Sequence, residues 1–387
     1  MWPLLFLSYL FPKRSTSRIL SRPLMSEDPS ELTPPDATAP QPPPQPCSEN
    51  RQPNPNSGLL LLQLPPELFD EIIGFYSIIP DTYYFNGHDL NDLPKFFERT
   101  GVLTALSQTC RALKDITLHR LWMRLDICRI TDSARLPWYE QPMTALERKA
   151  NGIAESPMRH HVRTLTIVLG EYYEPDTPLA ALWDMLRRLP NLRKIHVLAC
   201  TCKATVLAES LVEANLQLPN VTTLFVPDHL TGVFQRICPN VTHFRCSEVP
   251  LLSALTSKTQ RVDGMIDWRD PEFVDRLIKR APNLRTLEIR RPVDFQRHIN
   301  LQDTAPSEWV QVIPKLASLK QLSELILTFP SELEGVHDAE SIAAARSLME
   351  TSPFAGQRRL VTRRVTAPHY TNAYHVDFVH SSDSEIF

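Results

Sequence analysis

The chain has 387 residues, 42% hydrophobic and 22% charged, with a formal net charge of −3; that is enough for one small module plus a larger domain with ample core, and it argues against a dedicated DNA-binding protein, which would carry a basic excess. No apolar run reaches the roughly 18–20 residues of a membrane helix, and the 10 glycines leave little raw material for phosphate-cradling loops. Seven cysteines without framework spacing suit a reducing compartment, so the expected location is cytoplasmic, nuclear or both.

Residues 1–58 hold 13 of the 35 prolines. From Thr33 to Asn56 there is almost no large apolar side chain, so ordering entropy is not offset by burial. A disordered, partly polyproline-like leader is expected. Its first 25 residues run apolar from Trp2 to Phe11 and then basic through Lys13, Arg14, Arg18 and Arg22. A secretory signal puts its charges before the apolar run. A plain extension, an organellar targeting segment, a secretory signal and a translation start at Met25 all remain open.

After Gly58, Leu64, Leu68, Ile72 and Phe75/Tyr76 make a stripe of helical period. Pro65 and Pro66 suit a first turn, and Glu67 favours its dipole. Further stripes run Leu103, Leu106, Cys110, Leu113 and then Ile116, Leu118, Leu121, Trp122, Leu125. Between them, Ser77 to Gly101 reads as a turn-rich surface insertion. Three short helices over 59–130 bury little on their own, and leftover apolar surface calls for a partner.

Taken in order, Leu64-Pro65-Pro66-Glu67-Leu68, Ile72-Ile73, Ser107-x-x-Cys110-Arg111 and Leu121-Trp122 resemble an F-box of the fungal type. An ordinary helical hairpin opening the larger domain is the plainer alternative. The resemblance implies docking on a Skp-type adaptor and, through it, a cullin scaffold, by apolar anchors entering a partner groove. Leu64, Pro65, Leu68, Leu106, Leu121 and Trp122 are the implied adaptor-binding positions. Some must instead be internal core, and the sequence does not sort them.

From 131 to 350 the chain repeats. An apolar-x-x-apolar-x-apolar pattern occurs at Val162-Leu165-Ile167, Leu192-Ile195-Val197, Val221-Leu224-Val226, Val241-Phe244-Cys246, Leu284-Leu287-Ile289 and Leu322-Leu325-Leu327. Four copies follow Pro190-Asn191, Pro219-Asn220, Pro239-Asn240 and Pro282-Asn283. Stretches of helical period, Leu179–Leu189, Val206–Leu218, Leu230–Ile237, Phe273–Ala281 and Trp309–Leu319, precede most of them. Helix, proline, short strand, repeated, predicts an α/β solenoid with short parallel strands. It resembles the irregular leucine-rich repeats that often follow an F-box, without their usual downstream asparagines; a layered α/β domain is the alternative. A degenerate copy at Val262-x-x-Met265 would put Asp267 in its last apolar slot. Residues 351–387 are expected to be a partly disordered C-terminal segment.

If the triplets point inward, the alternating positions face out: Thr166, Val168, His196, Leu198, Phe225, Pro227, Arg245, Ser247, Glu288, Arg290, Ile326 and Thr328. Of these, His196, Phe225, Arg245, Glu288 and Arg290 are the expected substrate-binding residues, with Phe225 as aromatic anchor. The chain lacks the common metalloprotease, hydrolase and nucleotide-binding motifs, and Cys200-x-Cys202 lacks a second pair at zinc spacing. Cys238 and Cys246 fill apolar slots and read as small buried hydrophobes. Histidines 369, 375 and 380 and arginines 358, 359, 363 and 364 read as solvated surface. Asn220-Val221-Thr222 and Asn240-Val241-Thr242 are glycosylation sequons, which keeps open a secreted repeat protein. The same asparagine slot recurs without a sequon at Asn191 and Asn283, so a structural role suffices. The expected function is that of a non-catalytic substrate receptor of a Skp–cullin–F-box ubiquitin ligase, without cofactor, metal, nucleic acid or membrane, binding an unknown protein; an F-box scaffold that delivers no substrate is the runner-up.

Overall fold

The computed structural model describes residues 64–76, 78, 96–128, 140–170, 178–246, 252–265, 272–290, 311–330, 336–366 and 378–387. The leader, most of the expected insertion, Ser247, Trp309, His369 and His375 lie outside them.

Among the described residues, three helices come first. α1 (Pro66–Gly74) opens on Pro65, held at φ −52° and ψ 143°, and on Pro66 in the first turn, where a missing N–H costs nothing. The Pro65 carbonyl accepts the Phe69 N–H at 3.1 Å. α2 (Glu98–Thr109) and α3 (Arg111–Trp122) are parted by Cys110 alone, whose φ of −155° and ψ of 165° are extended. Phe69, Ile73, Leu103, Leu106 and Leu113 form a small core separate from the main one. Two expectations change here. Residues 98–101, assigned to the insertion, are helical. Leu125, read as the end of a helical stripe, lies in a strand, because Leu125 and Ile127 alternate with Arg124 and Asp126 at period two and are buried on one side. The sheet therefore begins inside the stretch assigned to the helical module.

Ten strands form one sheet in chain order: β1 (Arg124–Ile127), β2 (Thr164–Leu169), β3 (Lys194–Cys200), β4 (Thr223–Val226), β5 (His243–Cys246), β6 (Arg261–Met265), β7 (Thr286–Arg290), β8 (Glu324–Pro330), β9 (Arg359–Thr366) and β10 (Phe378–Ile386). β1 to β9 are parallel, and β10 returns antiparallel to β9. Parallel neighbours need crossovers, and these carry α4 (Glu140–Ala154), α5 (Pro178–Arg187), α6 (Ala204–Ala214), α7 (Thr231–Ile237), α8 (Phe273–Arg280) and α9 (Val336–Thr351). The protein is thus α/β with a mostly parallel sheet. Among the described residues no helix is long and apolar enough to cross a membrane. The stretch expected to be helical from Trp309 to Leu319 is helical at Gln311 and Val312 and then tightens into a six-residue 3₁₀ turn, Ile313–Ser318, with Pro314 near its start, a form used in short pieces.

Register explains the repeat. The middle apolar slots align strand to strand as Leu125, Leu165, Ile195, Leu224, Phe244, Val262, Leu287, Leu325 and Leu360. All pack in one core with helix residues such as Leu182, Leu207, Phe234 and Leu277; burying each contributes about 1.5–3 kcal/mol. Val262 pairs with Phe244 and Leu287, so it fills a middle slot, not the first slot expected for it. The degenerate copy is Thr259-x-x-Val262-x-Gly264, all three buried. Asp267 has no slot in it.

The Pro-Asn pairs also acquire a reason. Asn191 Nδ2 donates to the His160 carbonyl at 2.8 Å, Asn220 to Pro190 at 2.8 Å, Asn240 to Pro219 at 3.0 Å and Asn283 to Ser257 at 2.9 Å. Where the degenerate copy has lysine, Lys258 Nζ donates to Pro239 at 3.2 Å. A side-chain ladder thus runs before the strands, tying each turn to the one before.

The C-terminal segment, expected to be partly disordered, supplies β9 and β10 over its described residues. Three arginines expected in a solvated patch are ion-paired: Arg359 with Glu324 at 3.4 Å, Arg363 with Glu288 at 3.6 Å and Arg364 with Asp338 at 3.2 Å. Arg358 donates instead to the carbonyls of Glu350 and Ser352.

Candidate functional site

Two surfaces follow from these elements. The first is the outer side of α1. Its apolar residues fall on two adjacent stripes, and the inner one, Phe69 and Ile73, enters the small core. α1 is locked in that rotation by Arg120 of α3, which grips both carboxylate oxygens of Asp70, Nη2 reaching Oδ2 at 3.1 Å. The same guanidinium lies 5.1 Å from the centre of the Phe69 ring and donates to the Ile116 carbonyl at 2.6 Å. The hydrogen bond from Arg120 holds the Asp70 carboxyl below its usual value. The outer stripe is left to solvent: Leu68 is 46% exposed, Ile72 37%, and Phe75 74%. Pro65 and Ile78 are exposed beside it, and Leu64 is half-buried.

This sorts the expected adaptor-binding set. Leu64, Pro65 and Leu68 lie toward the outside with Ile72, Phe75 and Ile78. Leu106 is buried in the small core, and Leu121 packs against that core. Trp122 packs against the main one. Leu106, Leu121 and Trp122 are therefore packing residues, because α2 and α3 spend these side chains on one another and on the sheet.

The second surface is the sheet face turned away from the helices. In register, Asp126, Thr166, His196, Phe225, Arg245, Asp263, Glu288, Ile326 and Val361 form one row. Phe225, the fourth of the nine, sits edge-on to His196 (centroids 5.6 Å apart) and to His243 (4.9 Å), with Lys194 Nζ 4.5 Å and Arg245 Cζ 5.9 Å from its ring centre. Asp263 accepts from His243 Nε2 at 2.8 Å and from Arg261 Nε at 3.0 Å. Burial alone would raise the Asp263 carboxyl. The hydrogen bond from His243, with the charges of His243, Arg245 and Arg261, outweighs burial and holds it well below the carboxylate range. Glu288 accepts from Thr328 Oγ1 at 3.1 Å and faces Arg363.

The column was expected to be open to a partner. The members whose side chains are described are buried instead: Phe225 is 2% exposed, His196 3%, Arg245 8% and Glu288 1%. Thr166, Val168, Leu198, Pro227, Ile326 and Thr328 are buried too. The physical reason is visible at Phe225, where in-register neighbours close over the ring from both sides. Arg290 takes the next row, between Met265 and Thr328. Sequence reasoning missed Asp263, His243 and Arg261. The signal that places them is the register of the degenerate copy, which sets Asp263 between Arg245 and Glu288.

The thiols behave as packing groups. Burial pushes Cys238 up to about 12 and raises Cys128 well above the ordinary thiol value. Contact with Cys202, then burial, raises Cys200, whose Sγ lies 3.4 Å from the Cys202 carbonyl. No protein-family model matches this chain, and no curated protein matches it either.

Proposed function

We propose that this protein is a non-catalytic substrate-recognition subunit of a Skp–cullin–F-box ubiquitin ligase, with α1–α3 as an F-box and the strand–helix repeats as a leucine-rich-repeat-like receptor. The observation that carries the reading is the apolar ridge of Leu68, Ile72 and Phe75 left in water on α1. Soluble proteins seldom expose such a contiguous ridge without a partner for it. Its i, i+4, i+7 spacing is that of a helix presented to a groove. The order of the motif residues and the in-register repeat of apolar slots support the same assignment. The receptor face is not fixed by this reading, since the expected column is buried.

Co-purification of a Skp-type adaptor with the full-length chain tests the proposal. Replacing Leu64 and Pro65 together, or Leu68 and Phe75 together, by serine removes two anchors, each worth about 2 kcal/mol or more at a hot spot. Adaptor capture should disappear while thermal unfolding of the sheet stays put. Undiminished capture by both pairs refutes the assignment.

A further inference from the structure

The ladder edge of the sheet, where each strand starts, carries a charge that the chain as a whole does not. The turn segments 187–193, 213–222, 236–242, 256–260, 279–285 and 314–323 hold ten lysines and arginines and a single acid, Glu213, in a protein of net charge −3. They lie side by side: the Arg193 N–H donates to Arg163, Thr222 to Arg193, Thr242 to Thr222, Gln260 to Thr242, Arg285 to Gln260 and Ser323 to Arg285, at 2.7–2.9 Å. Arg193, Arg236, Lys279, Arg280, Arg285 and Lys320 are exposed. Lys258 spends its ammonium on the Pro239 carbonyl and on the Asn240 side chain, both uncharged. Cations in the last turn of a helix answer its dipole, which accounts for Arg236, Lys279 and Arg280. It does not account for Arg193, Arg285 and Lys320, which stand beyond the helix ends without an acidic partner among the described residues.

We infer that this edge is a docking surface for an extended acidic segment of a partner protein. Charge complementarity selects an anion. Between Arg193 beside β3 and Lys320 before β8 there are five strand spacings of about 4.8 Å, roughly 24 Å, the length of about seven extended residues. A polypeptide fits better than a nucleic acid because the six turns contain no phenylalanine, tyrosine or tryptophan on which a base could stack. Gln260, exposed between the cations, supplies a neutral donor and acceptor for a peptide backbone. The inference goes beyond the adaptor reading and does not depend on it.

Fluorescence anisotropy of labelled octaglutamate with the full-length chain tests it, against octaglutamine and a single-stranded eight-nucleotide DNA. Octaglutamate should bind at low salt and weaken as salt rises. The combined change Arg193→Glu, Arg285→Glu and Lys320→Glu should weaken it by at least about tenfold, and Arg111→Glu with Lys114→Glu on α3 should leave it unchanged. If the triple reversal unfolds the chain, the three glutamine substitutions take its place. No binding at low salt, unchanged binding by the edge variants, or tighter binding of the DNA than of octaglutamate overturns the inference. Adaptor capture by the same triple variant should be intact, so failure of one reading leaves the other standing.

Discussion

Asp263 is the residue whose removal tests the buried row most directly. Its side chain is 1% exposed, while His243 and Arg261, which donate to it, are 22% and 36% exposed. Removing one partner of a fully buried ion pair costs about 3–5 kcal/mol. Here both partners reach water, so part of the desolvation is recovered, and Asp263→Ala should cost about 2–3 kcal/mol. For a folded unit of this size that lowers Tm by roughly 4–10 °C. Asp263→Asn keeps the shape and one acceptor and should fall between. The pH dependence carries the sign. The folded carboxyl sits well below its ordinary value of 3.8, so its stabilisation is complete above that value and is lost as pH falls toward the folded pKa. Thermal unfolding of wild type and Asp263→Asn, followed from about pH 7 to about pH 3, should show a constant gap that narrows only below about pH 4. Equal stability at neutral pH, or a gap that widens in acid, refutes the account of the row.

Two further substitutions separate the elements. Asn220→Ala deletes one rung of the side-chain ladder and should cost about 1 kcal/mol, read as a shift of the denaturation midpoint; Thr222→Ala, which breaks the sequon but keeps the rung, should stay within about 0.5 kcal/mol of wild type. Phe69→Ala empties the small core and should cost that core about 3–5 kcal/mol. Hydrogen exchange should rise across α1–α3 and stay unchanged in β3–β8.

What could be read beforehand depended on whether a residue advertised its slot. The Pro-Asn register was legible because proline and asparagine recur at fixed offsets from leucine, valine and isoleucine. β6 was not, because Thr259 and Gly264 stand where other repeats carry apolar side chains, and Met265 offered a false match. With β6 displaced, Asp263 could not be placed between Arg245 and Glu288, and the polar row stayed hidden. Period two correctly assigned the row to the face away from the helices. It could not show burial, which comes from neighbours on adjacent strands distant in sequence. α1 failed differently. Leu68, Phe69, Ile72 and Ile73 are apolar on adjoining stripes, so periodicity alone leaves its rotation undecided. Leu103, Leu106 and Leu113 decide it by taking Phe69 and Ile73 into the small core, and Arg120, fifty residues away, adds its hold on Asp70.

The junction between module and sheet bears on how the two surfaces act together. Leu121 packs against the small core and Trp122, the next residue, against the large one. α3 is therefore common to both. No linker follows it: the Met123 carbonyl already accepts the N–H groups of Arg163 and Thr164, at 2.9 and 3.1 Å, and β1 starts at Arg124. A swivel at this point would have to expose Trp122 and break the first rung of the sheet. The α1 ridge is thus fixed in orientation relative to the repeats, so a partner seated on the ridge stands at a set distance from one held by the repeats. On the proposed reading, that rigidity is what a substrate receptor needs to present bound protein to the enzyme of the assembly, because geometry held in advance saves the entropy of finding it.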